Sequence, residues 1–444
     1  MTGLSINPAD TAWVMVSAAL VLMMTPALAF FYGGMVRAFG VLNMMMMSII
    51  SMGTVGVVWV LYGYSEAFGN SIDGLVGNPF QYFGLRGLLT ATIDPTGDGK
   101  HAIPTLAFVG FQAGFAMIAA ALVSGAVADR MKFSAWTVFS VVWATLVYFP
   151  VAHWVFAFNG LTAAHGGWIA NRLHAIDFAG GTAIEINTGT AGLALALVLG
   201  PRLGFRQKPM RPHNLTLVMV GAGLLWFGWF GFNAGSALGA NMTAALAWIN
   251  TMIAPCTAML AWLVTERVRD GHATSLGAAS GVVAGLVAIT PSAAAVSPLG
   301  AGLIGILAGV GCALAIGLKF RLGYDDALDV VGVHLIGGLI GTLSIGLLAM
   351  RGGLFYGSGT GLLERQATAA FAVLAYSFAV TYVAARVLDR VMGLRLSRAA
   401  ELSGADVNEH AEIGYDLSNV RYTNYQRVHS TVVVPGSKEE VHQG

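Results

Sequence analysis

The sequence predicts an all-α integral membrane protein of eleven transmembrane helices, in which spans 1–5 recur in the opposite sense as spans 6–10. Three observations carry this reading: a shortage of charge, eleven apolar runs of membrane-crossing length, and a titratable frame repeated in the fifth and tenth runs. Only 10% of the 444 residues are charged and 56% are hydrophobic. A soluble domain carries roughly 25% charged residues, so an ordinary globular enzyme is excluded. A net charge of +1 offers no electrostatic footprint for nucleic acid. The 58 glycines suit membrane helices, whose interfaces favour small residues.

An apolar run of about 20 residues spans the bilayer core. Such runs fall at 11–32, 41–63, 105–127, 133–153, 182–200, 214–232, 243–264, 275–289, 299–317, 328–349 and 366–388. The first is read as a retained helix: residues 1–12 hold Asp10 but no Lys or Arg, so the basic start of a cleaved signal is missing. Cys256 and Cys312 lie in different apolar runs and read as core-filling thiols, with no disulfide, metal site or cofactor expected.

Orientation follows from the bias of Lys and Arg toward cytoplasmic loops. With the N-terminus outside, the cytoplasmic loops hold eleven such residues: Arg37, Arg130, Lys132, Arg202, Arg206, Lys208, Arg211, Arg267, Arg269, Lys319 and Arg321. The outer loops hold five: Arg86, Lys100, Arg172, Arg351 and Arg365. Residues 1–388 are therefore expected to form the membrane domain and 389–444 a cytoplasmic tail, too short for a typical enzymatic domain.

Titratable residues inside such runs cost about 2.5–3.5 kcal/mol each at the helix centre and mark function by default. His153, Glu185 and His334 qualify. Asp177 stands eight residues before Glu185, and Asp326 eight before His334; glycines follow each at +4 and +7, namely Gly189, Gly192, Gly338 and Gly341. Five spans per half would insert duplicated units in opposite senses and place a shared site near the midplane. Helical spacing sets the glycines beside the titratable residue, so two helices can approach and Glu185 can face His334 in one lumen. His153, with no such counterpart, reads as a packing residue. Aromatic clusters at Phe111–Phe115 and Trp226–Phe232 read either as interfacial anchors or as faces for an ammonium-type cation, with Trp229 a candidate wall residue of such a vestibule.

These segments resemble the Amt/Mep/Rh ammonium transporter family over nearly the whole chain. The likeness lies in Thr25-Pro26-Ala27-Leu28-Ala29-Phe30-Phe31-Tyr32-Gly33-Gly34, in Asp177-Phe178-Ala179-Gly180-Gly181-Thr182, in Trp229-Phe230-Gly231-Phe232-Asn233-Ala234-Gly235-Ser236, and in the run from Asp326 to His334. The resemblance implies a homotrimer in the inner membrane with one pore per subunit. It implies that Phe115 and Phe232 are stacked gate rings below an outer vestibule, that Ser236 accepts a hydrogen bond from the ion there, that Asp177 orders the site, and that His334 is the second of two pore histidines. Two positions depart from the pattern. Phe156 stands where the family has a vestibule tryptophan, and Glu185 stands at the first pore-histidine position, as in a few fungal members. The loop 161–176 looks longer than usual. Residues 404–412 resemble the family's tail motif, which implies contacts between subunits and with a P-II signalling protein.

The expected function is ammonium transport: the ion is bound outside and deprotonated, ammonia crosses an apolar pore, and the proton passes through Glu185 and His334. The alternatives are an ammonium sensor on the same fold and a passive ammonia channel.

Overall fold

The computed structural model describes residues 5–208 and 210–415; the tail expectation beyond 415 lies outside them. The chain is a bundle of α1 (Pro8–Met35), α2 (Val41–Phe68), α3 (Thr105–Val127), α4 (Phe133–Phe156), α5 (Gly181–Leu199), α6 (Leu215–Gly235), α7 (Met242–Asp270), α8 (Ser275–Ile289), α9 (Pro298–Leu322), α10 (Val331–Leu348) and α11 (Gly361–Met392). Ten of these, among the described residues, are long and apolar enough to cross a membrane. The exception is α8. Its 15 residues rise only about 22 Å, short of a hydrocarbon core of roughly 30 Å. Nearly all of α8 is buried against α7, α9, α6 and α10, so protein rather than lipid surrounds it.

The helices sort into layers by burial. The most apolar stretch of α5 is 83% buried and that of α3 72%, against 33% for α2 and 28% for α11. The titratable frame thus sits at the centre of the bundle. Among the described residues, strand is confined to two short antiparallel pairings in the 69–104 loop, Ser71 opposite Gly77 and Thr92 opposite Pro104.

The repeat is visible in matched contacts. α5 and α10 both begin with a π-helical turn, Gly181–Ile186 and Val331–Leu335, and each turn is capped by the aspartate of its frame. Asp177 accepts the N–H groups of Gly180 (2.7 Å), Gly181 (2.7 Å) and Thr182 (2.8 Å). Asp326 accepts those of Val330 (3.1 Å) and Val331 (2.7 Å). The residue after each aspartate docks on the other half: Phe178 N–H donates to Pro291 O at 3.0 Å, and Ala327 N–H to Ala126 O at 3.3 Å. Where α5 crosses α10, a Cβ on Gly189 would lie 2.3 Å from the Leu335 backbone nitrogen, and one on Gly338 would lie 2.9 Å from Glu185 Cβ. Glycine at both positions lets the two backbones touch and draws Glu185 and His334 together.

The loops gather at two ends. One end carries the strand pairs and the 157–180 segment, joined by Ser71 N–H to His165 O (2.8 Å) and Trp168 N–H to Gly74 O (3.2 Å). The 161–176 loop is held there as part of a folded cap, its last residue exchanging hydrogen bonds with Gln366 of α11. At the opposite, basic end the positive loops meet acids. Arg202 grips Asp325 through Nε (2.9 Å) and Nη2 (2.8 Å), and Arg37 meets Asp129 at 3.1 Å. Burial pushes the Arg130 guanidinium down to about 10 despite the neighbouring Asp325.

The start of the tail docks on this basic end by completing two helices. Neither α2 nor α4 has a side-chain cap of its own, their preceding residues being Gly40 and Lys132. Asp406 accepts the N–H groups of Leu42 (3.1 Å) and Asn43 (2.8 Å), and Glu409 accepts that of Phe133 (2.8 Å). Burial raises the Asp406 carboxyl above the usual range, and these two backbone donors oppose that shift. A helix start leaves donors unsatisfied, and loss of an N-cap costs about 1 kcal/mol. Asp406→Ala is therefore expected to lower the thermal unfolding midpoint in detergent and to expose the tail to protease. An unchanged midpoint and unchanged cleavage would count against the cap.

Candidate functional site

A cavity of about 840 Å³ opens at the end carrying the strand pairs. Its wall includes Phe108, Gln112, Phe156 and Ser236, and Phe115 forms its floor. Phe115 of α3 and Phe232 of α6 stack with centroids 4.3 Å apart and planes at 30°, while Phe111 meets Phe115 edge-on at 4.8 Å. Both stacked rings are 1% exposed, so the floor is shut by aromatic contact, the geometry aromatic pairs favour.

Below the rings lies a second space of about 10 Å³, bordered by Phe232, Trp229, Glu185, His334 and aliphatic side chains such as Leu28 and Val283. Here Nδ1 of His334 is 2.7 Å from Oε2 of Glu185. The residues come from α10 and α5, 149 positions apart in the chain, and both are buried. Among the described residues, the second carboxylate oxygen of Glu185 has no hydrogen-bond partner. A buried polar atom without a partner is rare, and this one belongs to a side chain that borders the small space.

The remaining candidates fall into place around these two cavities. Trp229 does not line the vestibule: it sits on the far side of Phe232, its indole N–H donating to Thr290 Oγ1 at 2.8 Å. Trp229 precedes Phe232 by three residues, about one helical turn, and α6 runs from the basic end toward the vestibule, which sets it one turn deeper. Ser236 does line the vestibule, donating its hydroxyl to Phe232 O at 2.8 Å, so its oxygen keeps lone pairs for a guest. Asp177 borders the cavity, but its two oxygens accept four backbone N–H groups and the Thr182 hydroxyl. That leaves it a cap and not a ligand. Asp326 does the equivalent for α10. His153 is satisfied at both nitrogens, by Ala67 O (3.0 Å) and Ser71 Oγ (2.9 Å), and belongs to the packing.

Several wall residues escaped the sequence reading. Gln112 is a polar residue within an apolar run and was detectable by that contrast. Phe158, Leu161 and Ile176 reach the vestibule from the 157–176 segment, for which the chain offers no periodic pattern. Arg351 lines the mouth from the turn after α10.

An all-α membrane bundle enclosing a vestibule, a closed ring pair and a buried carboxylate–imidazole pair defines a multi-pass channel or transporter for a small solute. The chain belongs to the Ammonium Transporter Family, whose profile matches residues 12–415. An ammonium transporter of Mycobacterium tuberculosis is 59% identical over 431 residues, covering 92% of this chain and 90% of that protein. Among solved structures, Mep2 of Saccharomyces cerevisiae aligns with a TM-score of 0.79 at 31% identity, covering 89% of this chain and 88% of that one. A structure described as a sensor Amt protein aligns at 0.83 with 27% identity, covering 90% and 98%. The family is one of transporters, not of enzymes.

Proposed function

We propose that this protein moves ammonium inward across the inner membrane by splitting it into ammonia and a proton. The observation that supports this most strongly is the 2.7 Å Glu185–His334 contact directly beneath the Phe115–Phe232 pair. The idealised cost of moving an ion of this size into a low-dielectric medium is on the order of 20 kcal/mol, and the small space below the rings is bordered mostly by apolar side chains. Burial favours the neutral form of an amine. The cheaper route separates the proton, so that neutral ammonia crosses the apolar stretch.

In this reading the ion rests in the vestibule against Ser236 and the faces of Phe115 and Phe156, with a cation–π contribution of about 0.5–2 kcal/mol. As it passes the ring pair its N–H bond breaks and the proton goes to the Glu185–His334 pair beneath. Ammonia passes Phe232 and Trp229, and the proton is carried by the hydrogen-bonded Glu185–His334 pair. Imidazole can accept at one nitrogen while donating at the other, and the free oxygen of Glu185 supplies the next acceptor.

The excess of Lys and Arg at the basic end supports a cytoplasmic placement of that end and of the tail, with the vestibule outside. We further assign a homotrimer with one pore per subunit, and a P-II signalling protein as a partner of the docked tail. The similarity to a sensor Amt protein supports a second reading, in which binding is coupled to signalling and transport is slight. Ammonium-evoked current in proteoliposomes decides between them. A saturable inward current is the expected result. Ammonia flux without current would replace this mechanism with a passive channel, and binding with neither would leave the sensor.

A further inference from the structure

We infer that Arg351 sets the affinity of the vestibule for cations, acting as a positive charge at its mouth that keeps occupancy low. The inference rests on the reading of the vestibule as a cation site and extends it to a residue outside the gate and the relay.

Among the described residues, two charged side chains line the cavity, Asp177 and Arg351. They differ in what they offer a guest. The carboxylate of Asp177 is held by the N–H groups of residues 180–183 and by the Thr182 hydroxyl. It faces the positive end of the α5 dipole, so little of its charge reaches the cavity. Arg351 is exposed, and among the described residues it joins no ion pair. The uncompensated charge at the mouth is therefore positive.

The backbone holds that charge in place. Met350 N–H donates to Ala295 O at 2.9 Å, and Gly353 N–H returns to Ala349 O at 3.1 Å. Between them Gly352 takes φ +87°, a left-handed conformation that glycine adopts freely and other residues rarely. The turn is thus fixed just after α10 leaves the bundle, with Arg351 at its tip. Its guanidinium presents positive charge and N–H donors, and no acceptor, to the cavity. Ammonium approaching the aromatic wall meets a like charge, whereas ammonia does not. The site consequently fills at higher ammonium concentration than its aromatic lining alone would set.

A charge series at this position tests the assignment. Half-saturating ammonium is measured from proteoliposome currents for the wild type and for Arg351→Lys, Arg351→Gln and Arg351→Glu. Coulomb interaction across about 10 Å of largely aqueous medium gives about a twofold change per unit charge, larger at low ionic strength, where screening weakens. The expected order is Glu lowest, then Gln, then Lys level with the wild type, the spread widening as salt is removed. If Lys and Gln shift alike, or the order ignores charge and salt, Arg351 acts through packing and the inference is overturned. If the wild type passes no ammonium-evoked current, the transport reading fails separately. Ammonium binding to the same four proteins, followed by calorimetry, then decides this one by the same ordering.

Discussion

Glu185→Gln is expected to reduce ammonium-evoked current by about a hundredfold, the low end of what a positioned proton-transfer group contributes. The substitution is nearly isosteric, and glutamine can still pair with His334 Nδ1, so the 2.7 Å contact and the packing around it survive. What is lost is the capacity to bind and release a proton. Current on solid-supported membranes measures this, with stopped-flow ammonia uptake beside it. A fall in current with ammonia uptake retained would place Glu185 on the proton path. Full current in the variant would remove it from that path and leave the mechanism without its carrier.

Gly189→Ala is the second large effect, and it works through geometry alone. The added methyl would lie 2.3 Å from the Leu335 nitrogen and 2.7 Å from its Cα. Backbone cannot rotate aside as a side chain can, so α5 and α10 must separate. Overpacking a well-packed core costs typically 1–3 kcal/mol, and a backbone clash at the most buried helix lies at the upper end of that range. The same separation would pull Glu185 away from His334. Gly189→Ala is therefore expected to lower the unfolding midpoint and cut current by more than tenfold. By contrast, Gly223→Ala, whose added Cβ meets nothing within 4 Å, should leave both nearly unchanged. Equal behaviour of the two variants would refute the close α5–α10 seam.

The sequence disclosed the parts of this arrangement that repeat. Spans 5 and 10 each carry an aspartate, a titratable residue and two glycines at matched spacing, and that periodicity was enough to pair Glu185 with His334 across 149 residues. It also named Phe115 and Phe232, through resemblance to relatives. What it hid was contact set by depth or by distant partners. Trp229 shares an aromatic cluster with Phe232 and so reads as a vestibule wall, although one turn of helix puts it on the other side of the stacked rings. The capping of α2 and α4 by Asp406 and Glu409 left no local mark, since donor and acceptor stand some hundreds of residues apart and a capless helix start looks ordinary. The placement of 161–176 over the vestibule depends on hydrogen bonds to the strand pairs and to Gln366, which no hydropathy pattern encodes. α8 reads as one more apolar run, and the run does not tell that its 15 residues are buried among neighbouring helices.

The space beneath the rings, about 10 Å³, is close to the smallest volume that admits one water molecule. It is too tight to hold a file of waters along which protons could hop. On the proposed route, passage through it waits for neighbouring side chains to swing aside, so conduction is expected to quicken with warming more steeply than in an open aqueous pore, where solutes merely diffuse.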